Sequence, residues 1–427
     1  MRFSLDVRRA HKGDCLLLHS GTKESPFLVM IDGGPGDTYV PHLRPRLVAI
    51  KVARKLDNQK PLPIDLLMIS HVDDDHIRGI LDFTRELNQA VGVPFARISS
   101  LWHNTFDDVI GNVPPELTAA VSTQFGPASL DGALPDDATI EGDEDEEVIV
   151  STLKVLASIE QGHRLRDDAK TLHVDLNPEF DGHLIIADQT PVEMGEGLTF
   201  LVAGPMKPEV RKLQQKHDEW LKQQKAEKKA SDEALSAYVD NSVPNLSSLV
   251  LLASSGGKRI LLTGDARGDK ILEGLQLVRA LEPGKSMHVD ILKVPHHGSS
   301  NNVDRDFYER ITADRYVFSG DGEHGNPERE SFEMLLDARG SDPFEIHVTY
   351  PIEEIDEGRK RDHDKEQKKE KARAAKNGGK TVPRADWVAK TDSLEALIAS
   401  GRFQSQQKII VADPTRHVID LLDTLDF

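Results

Sequence analysis

Short apolar runs, each cut off by Gly, Asp or His, recur along most of this chain. Residues 1–7 alternate apolar and polar positions as a strand does. Residues 27–31 form the next clear run and stop at Asp32-Gly33-Gly34-Pro35-Gly36-Asp37, a loop whose glycines permit unusual backbone angles. An amphipathic helix is expected within 40–60 and a buried strand over 64–69. Ile77, Ile80, Leu81, Thr84 and Leu87 then recur at helical spacing, which predicts a helix packed back onto a sheet. A further strand over 97–102 ends at His103-Asn104.

The rhythm lapses over 105–150, where Pro and Gly recur and the acidic run 141–147 reads as a solvated loop. Strand-like patterns return over 151–205, most clearly at 198–203. Residues 207–237 are charged and Gln-rich, with few apolar anchors (Val210, Leu213, Trp220, Leu221), and read as an insertion lying over the surface. Strand, turn and helix alternate again to about residue 340. The Lys/Arg-rich segment 357–380 reads as a mobile helix or a disordered arm, and 408–412 as a closing strand.

Three of these runs end in side chains that bind metals. The strand at 64–69 leads into His71-Val72-Asp73-Asp74-Asp75-His76. The run at 260–262 ends in Thr263-Gly264-Asp265, and the run at 289–294 ends in Pro295-His296-His297-Gly298-Ser299. A strand end cannot bury such a density of charge without compensation. Bound metal is the simplest compensation, since imidazole and carboxylate are ligands for zinc, manganese or iron. Asp74 lies between ligand positions and is expected to point away.

With these residues the chain resembles the metallo-β-lactamase fold, most closely the hydrolase domain of the competence protein ComEC and its stand-alone relatives, in which Asp often stands where Asp73 stands here. Gly13-Asp14-Cys15-Leu16-Leu17-Leu18, Met30-Ile31-Asp32-Gly33-Gly34 and Asn245-Leu246-Ser247-Ser248-Leu249-Val250 extend the likeness over most of residues 1–330. The resemblance implies an α/β fold, an αββα sandwich with helical and loop insertions. The hydrolase domain would span 1–350, with insertions at about 105–150 and 207–240. Residues 351–427 would be a charged arm and a C-terminal extension on the same domain.

The resemblance also implies a site with two divalent ions, Zn2+ or Mn2+. His71 and Asp73 would bind the first ion, Asp75 and His76 the second, and Asp265 would bridge both. One of His296 and His297 would complete the second site. Adjacent residues at a strand end tend to diverge, so the other would touch substrate or donate a proton. His103 is the best candidate for a third ligand of the first ion, with His163, His173 and His183 as alternatives. Asp75, Asp265 and His297 are the candidates for direct roles in the reaction. Asp32 would hydrogen-bond the metal loop from behind. Relatives often carry His directly before Pro327, where this chain has Asn326; His324 or Asn326 would take over that contact.

Composition narrows the setting. No long uncharged apolar stretch occurs in the 427 residues, so no membrane span is expected. The N-terminus turns charged too soon for a signal peptide. The single Cys15 excludes an internal disulfide and suits a reducing, cytoplasmic setting. A net charge of −19 argues against a surface generally attractive to nucleic acid, though not against a local basic groove. The expected function is that of a metal-dependent phosphodiesterase, a nuclease acting on DNA through a metal-activated hydroxide. Hydrolysis of a small ester (a phosphocholine ester, a lactone or a thioester) is the alternative enzyme class, and a non-catalytic partner-binding module the third reading. A regulatory protein partner or a protease could uncover a cleft shielded by the insertions.

Overall fold

The computed structural model describes residues 1–104, 161–211, 248–376 and 381–427. Its strands divide between two sheets. In the first, β1 (Arg2–Val7), β2 (Leu16–Gly21) and β3 (Pro26–Ile31) run antiparallel, and β4 (Leu62–Met68), β5 (Ala96–Trp102) and β6 (Asp175–Leu176) continue parallel to β3. In the second, β7 (Val192–Gly195), β8 (Leu198–Gly204), β9 (Val250–Ser255) and β10 (Lys258–Leu262) run antiparallel. There β11 (Met287–Lys293), β12 (Ile311–Phe318), β13 (Phe344–Val348) and β14 (Gln407–Val411) continue parallel to β10.

Side-chain alternation sets the layers. Phe3, Leu5, Leu16, Leu18, Val29 and Ile31 face one way and meet Leu251, Ala253, Ile260, Leu262 and Ile291 in the core between the sheets. Their neighbours Leu17, Leu28 and Met30 face the other way, onto Leu47 and Ile50 of the helix Arg44–Ala53 and Ile77, Ile80 and Leu81 of the helix Asp74–Asn88. Likewise Leu252, Leu261 and Leu292 turn outward onto Ile271 and Leu275 of Gly268–Leu277 and onto Phe332 and Leu335 of Arg329–Arg339. Burial on both faces is why these strands read as near-continuous apolar runs. The result is the expected αββα sandwich.

Residues 357–376 of the arm and the closing strand pack on this sandwich. Residues Ile352–Lys376 form one helix. Its first half docks on the 320–325 loop so closely that a Cβ on Gly358 would lie 2.2 Å from the Asp321 carbonyl oxygen, and one on Gly322 2.1 Å from that of Ile355. Of the two expected forms, helix or disordered arm, residues 357–376 take the helix, and residues 377–380 lie outside the described residues. The closing strand is β14, and three more residues, Val418–Asp420, form β15 against β1, so the C-terminus adds an edge to each sheet. The acidic run and nearly all of the two expected insertions lie outside the described residues.

Three glycines bring loops onto the first turns of Asp74–Asn88. A Cβ on Gly13 would sit 1.8 Å from the Asp75 carbonyl oxygen, one on Gly79 2.0 Å from that of Gly33, and one on Gly33 2.5 Å from the Ile80 nitrogen. These contacts are backbone to backbone, so no side-chain rotation can relieve them. Gly79→Ala would add about 1 kcal/mol of helix propensity, but forced overpacking costs about 1–3 kcal/mol or more. A net drop in the denaturant midpoint is expected; an unchanged or raised midpoint would show that the loop is not held against the helix.

Candidate metal centre

The site lies where parallel strands end. Residues 69–73 carry the chain from β4 into Asp74–Asn88, Asp265 follows β10, and the short turn Pro295–Gly298 follows β11. In that turn His296 (φ 47°, ψ 48°) and His297 (φ 55°, ψ 17°) are both left-handed. Non-Gly residues seldom hold this conformation. Two in succession rotate adjacent side chains toward one point, so the expected divergence of His296 and His297 does not occur.

Four imidazoles converge on the Asp265 carboxylate through their Nε2 atoms. His71 and His296 approach Oδ2, at 3.7 and 3.6 Å, while His76 and His297 approach Oδ1, at 3.4 and 3.5 Å. Asp73 stands 3.5 Å from His71 Nε2 on the first side. On the second side Asp75 reaches both His76 and His297, at 3.9 and 3.8 Å. The structure thus brings together His71, Asp73, Asp75, His76, Asp265, His296 and His297.

Each ring is tied down at its other nitrogen. His76 Nδ1 lies 2.9 Å from Asp32 Oδ2, and Asp32 accepts from the Ser70 backbone N–H (2.7 Å) and hydroxyl (2.6 Å), behind the loop as expected. His71 Nδ1 lies 3.1 Å from the same Ser70 hydroxyl. His296 Nδ1 meets Asn302 Oδ1 at 2.9 Å, and His297 Nδ1 meets Ser319 Oγ at 2.9 Å. An acceptor at Nδ1 leaves the Nε2 lone pair facing the centre. Yet the buried Nε2 atoms of His71, His76 and His297, and Asp265 Oδ1, have no hydrogen-bond partner among the described residues. Buried polar atoms are nearly always satisfied. Four unsatisfied ones at a single point, all nitrogen or oxygen, fit a divalent cation.

The remaining candidates lie elsewhere. His103, His163, His173 and His183 belong to neither group of converging ligand atoms among the described residues. His103 is clamped by Asn177, which accepts from its backbone N–H and donates to its carbonyl, and its Nε2 lies 3.6 Å from where a Cβ of Gly162 would be. The ring is therefore packed against the helix over 161–171, and His296 stands where His103 was expected. Asp74 accepts from Gln161 and belongs to neither group of converging ligand atoms. His324 is exposed, whereas Asn326 is buried with an unsatisfied Oδ1.

Sequence reasoning missed Asp14, Lys293, Ser319 and Asn302. Asp14 falls within the same group of converging atoms as His76, Asp265 and His297. The available signal was Lys293, a lone cation in a run that otherwise reads as buried strand; its ammonium is 2.8 Å from Asp14 Oδ2.

Protonation reflects this crowding of charge. Burial alone would push the His76 imidazole down, but Asp265, Asp32 and Asp75 raise it well above its ordinary value of 6.5. Burial and His76 oppose protonation of His71, and Asp265 and Asp73 outweigh them. Burial would raise the Asp265 carboxyl, but His296, His297, His76 and His71 hold it well below the ordinary range. Burial pushes His103 down to about 3, so it stays neutral near neutral pH.

No family model matches the chain. Microtubule-associated protein 1A of Rattus norvegicus and of Mus musculus each match at 34% identity over 67 residues, 16% of this chain and 2% of theirs. The chain therefore spans only a small fraction of these relatives. Among solved structures, a metallo-beta-lactamase from Cronobacter sakazakii with a substituted HARLDQ motif is similar over 68% of this chain and 75% of its own, with 12% identity and a TM-score of 0.26. A candidate metal-dependent hydrolase from Parabacteroides distasonis is similar over 81% and 98%, with 10% identity and a TM-score of 0.30. Superposition this loose transfers no activity. No helix among the described residues is long and apolar enough to cross a membrane.

A pH test follows from the shifts. In the metal-free chain, raised folded values for His71 and His76 stabilise the fold fully below their unfolded value near 6.5. That contribution is lost as pH rises through the folded values. The melting temperature of chelator-treated protein should fall as pH rises from neutral, and added Zn2+ should abolish the fall. A melting temperature independent of both pH and metal would contradict this.

Proposed function

We propose that this chain is a metal-dependent hydrolase that holds two divalent ions, Zn2+ or Mn2+, and cleaves phosphodiesters, with DNA as substrate. One observation carries the reading: four imidazoles, each tied at Nδ1, present Nε2 in pairs to the two oxygens of one buried aspartate. His71, Asp73 and His296 would hold one ion with Asp265 Oδ2, and Asp75, His76 and His297 the other with Oδ1. A donor set of imidazole and carboxylate without thiolate suits Zn2+ or Mn2+. Such a pair of ions supplies Lewis acidity to an ester oxygen and lowers the proton affinity of nearby water.

The chain's own groups do the rest. Asp265 reaches toward both halves of the site and so fixes their spacing. Asp75 and Asp73 are only partly buried, at 23% and 31% side-chain exposure, and mark the face open to substrate. Two dications would balance the four carboxylates at this centre, Asp32, Asp73, Asp75 and Asp265. The ComEC-like motifs support a phosphodiester.

Hydrolysis of a small ester is the second reading, and the arm favours it. Lys360 pairs with Asp364, Lys369 with Glu366, Lys371 with Asp386, and Arg384 with Glu370. The helix Ile352–Lys376 therefore offers less free positive charge than its lysine count suggests. Linear DNA, a chromogenic phosphodiester and a panel of carboxylic and phosphocholine esters, each with Mn2+ or Zn2+, separate the readings. DNA cleavage by the native chain, reduced to background in Asp265→Ala, is expected. Intact DNA with a hydrolysed ester would favour the second reading. No hydrolysis of any substrate would contradict both.

A further inference from the structure

The metal centre has two halves, and the one around His297 is supported by residues from both sheets. Asp14 enters from the loop before β2, Lys293 ends β11, and Ser319 follows β12. All three are buried. The hydrogen bonds among them have one consistent direction. The Lys293 ammonium donates to Asp14 Oδ2 at 2.8 Å and to the Val294 carbonyl at 3.0 Å. The Ser319 hydroxyl donates its only proton to Asp14 Oδ1. Its oxygen is then an acceptor for His297 Nδ1, 2.9 Å away.

We infer that Lys293, Asp14 and Ser319 are positioning residues that hold His297 with its proton on Nδ1 and its Nε2 lone pair aimed at the second ion. The inference rests on the two-ion reading above. Asp14 falls within the converging group of possible ligands, but both of its oxygens are already engaged, by Ser319 and Lys293. With Oδ1 also 3.4 Å from His297 Nδ1, the ring nitrogen turned away from the centre, Asp14 is placed to anchor the imidazole. Ser70 and Asp32 form a separate device, which holds His71 of the first half and His76 of the second. Because Ser319 hydrogen-bonds His297 and no ligand of the first ion, its loss should weaken the second ion and spare the first.

Lys293 compensates the buried Asp14 charge, since removing one partner of a buried pair leaves the other uncompensated. Its loss would threaten folding, so Ser319 is the cleaner probe. Ser319→Ala deletes one hydroxyl and leaves Asp14 paired with Lys293. Such outer partners of metal-bound histidine are worth about 10–100-fold in metal affinity. Ser319→Thr keeps the hydroxyl and should restore it.

The test is a competitive Zn2+ titration against a chromophoric chelator, with ions per chain counted and the metal-free melting temperature as folding control. The native chain should bind two ions. Ser319→Ala should bind one as before and the other about 10–100-fold more weakly, with a metal-free chain that still unfolds cooperatively at a somewhat lower melting temperature, and Ser319→Thr should match the native chain. Native-like binding of both ions by Ser319→Ala, or equal weakening in Ser319→Ala and Ser319→Thr, would overturn the positioning role while leaving the hydrolase reading intact. A native chain that binds no ion would overturn both.

Discussion

Four imidazole nitrogens aimed at one buried carboxylate are the constraint on which this molecule depends. His71, His76, His297 and Asp265 have almost no solvent contact, and the buried Nε2 atoms of the three rings and Asp265 Oδ1 have no hydrogen-bond partner among the described residues. Unpaired polar atoms in a dry interior cost free energy each time. An arrangement that keeps several of them together is tolerable only if something charged joins them. The surroundings are built to hold that arrangement: Asp32, Ser70, Asn302 and Ser319 fix the rings from behind.

Topology explains why these residues meet. β3, β4 and β5 are parallel in one sheet, and β10, β11 and β12 are parallel in the other. Parallel strands place their C-terminal ends on one edge, and ligands gather outside such ends. Asp32, the 71–76 loop, Asp265, His296, His297 and Ser319 all follow strands of this kind. Glycines at 13, 33 and 79 then allow the loops to close without side chains in the way. The docked helix Ile352–Lys376 packs against the loop that follows Ser319, so even the charged arm supports the metal edge.

Much of this is readable in the residues alone. Apolar runs buried on both faces predicted the layers, and ligand-type residues just past three of those runs marked the centre. Side-chain direction was harder, because it depends on backbone angles that sequence does not display. The left-handed pair His296 and His297 turned an expected divergence into convergence. His103 follows a strand as the converging residues do, but Asn177, far along the chain, fixes its backbone where the ring faces the helix over 161–171. Asp14, Lys293 and Ser319 are distant in sequence, and only the packing of two sheets makes them one network. Substrate choice depends on the cleft rim, and the likeness in motifs concerns the floor of the site.

Crystals soaked in Zn2+ and measured by anomalous scattering would test the central claim most directly. Two anomalous peaks are expected, one in contact with His71 and His296, the other with His76 and His297, with Asp265 between them. A map with no peak at Asp265, or with these rings turned to hydrogen-bond water or protein instead, would contradict the two-ion centre.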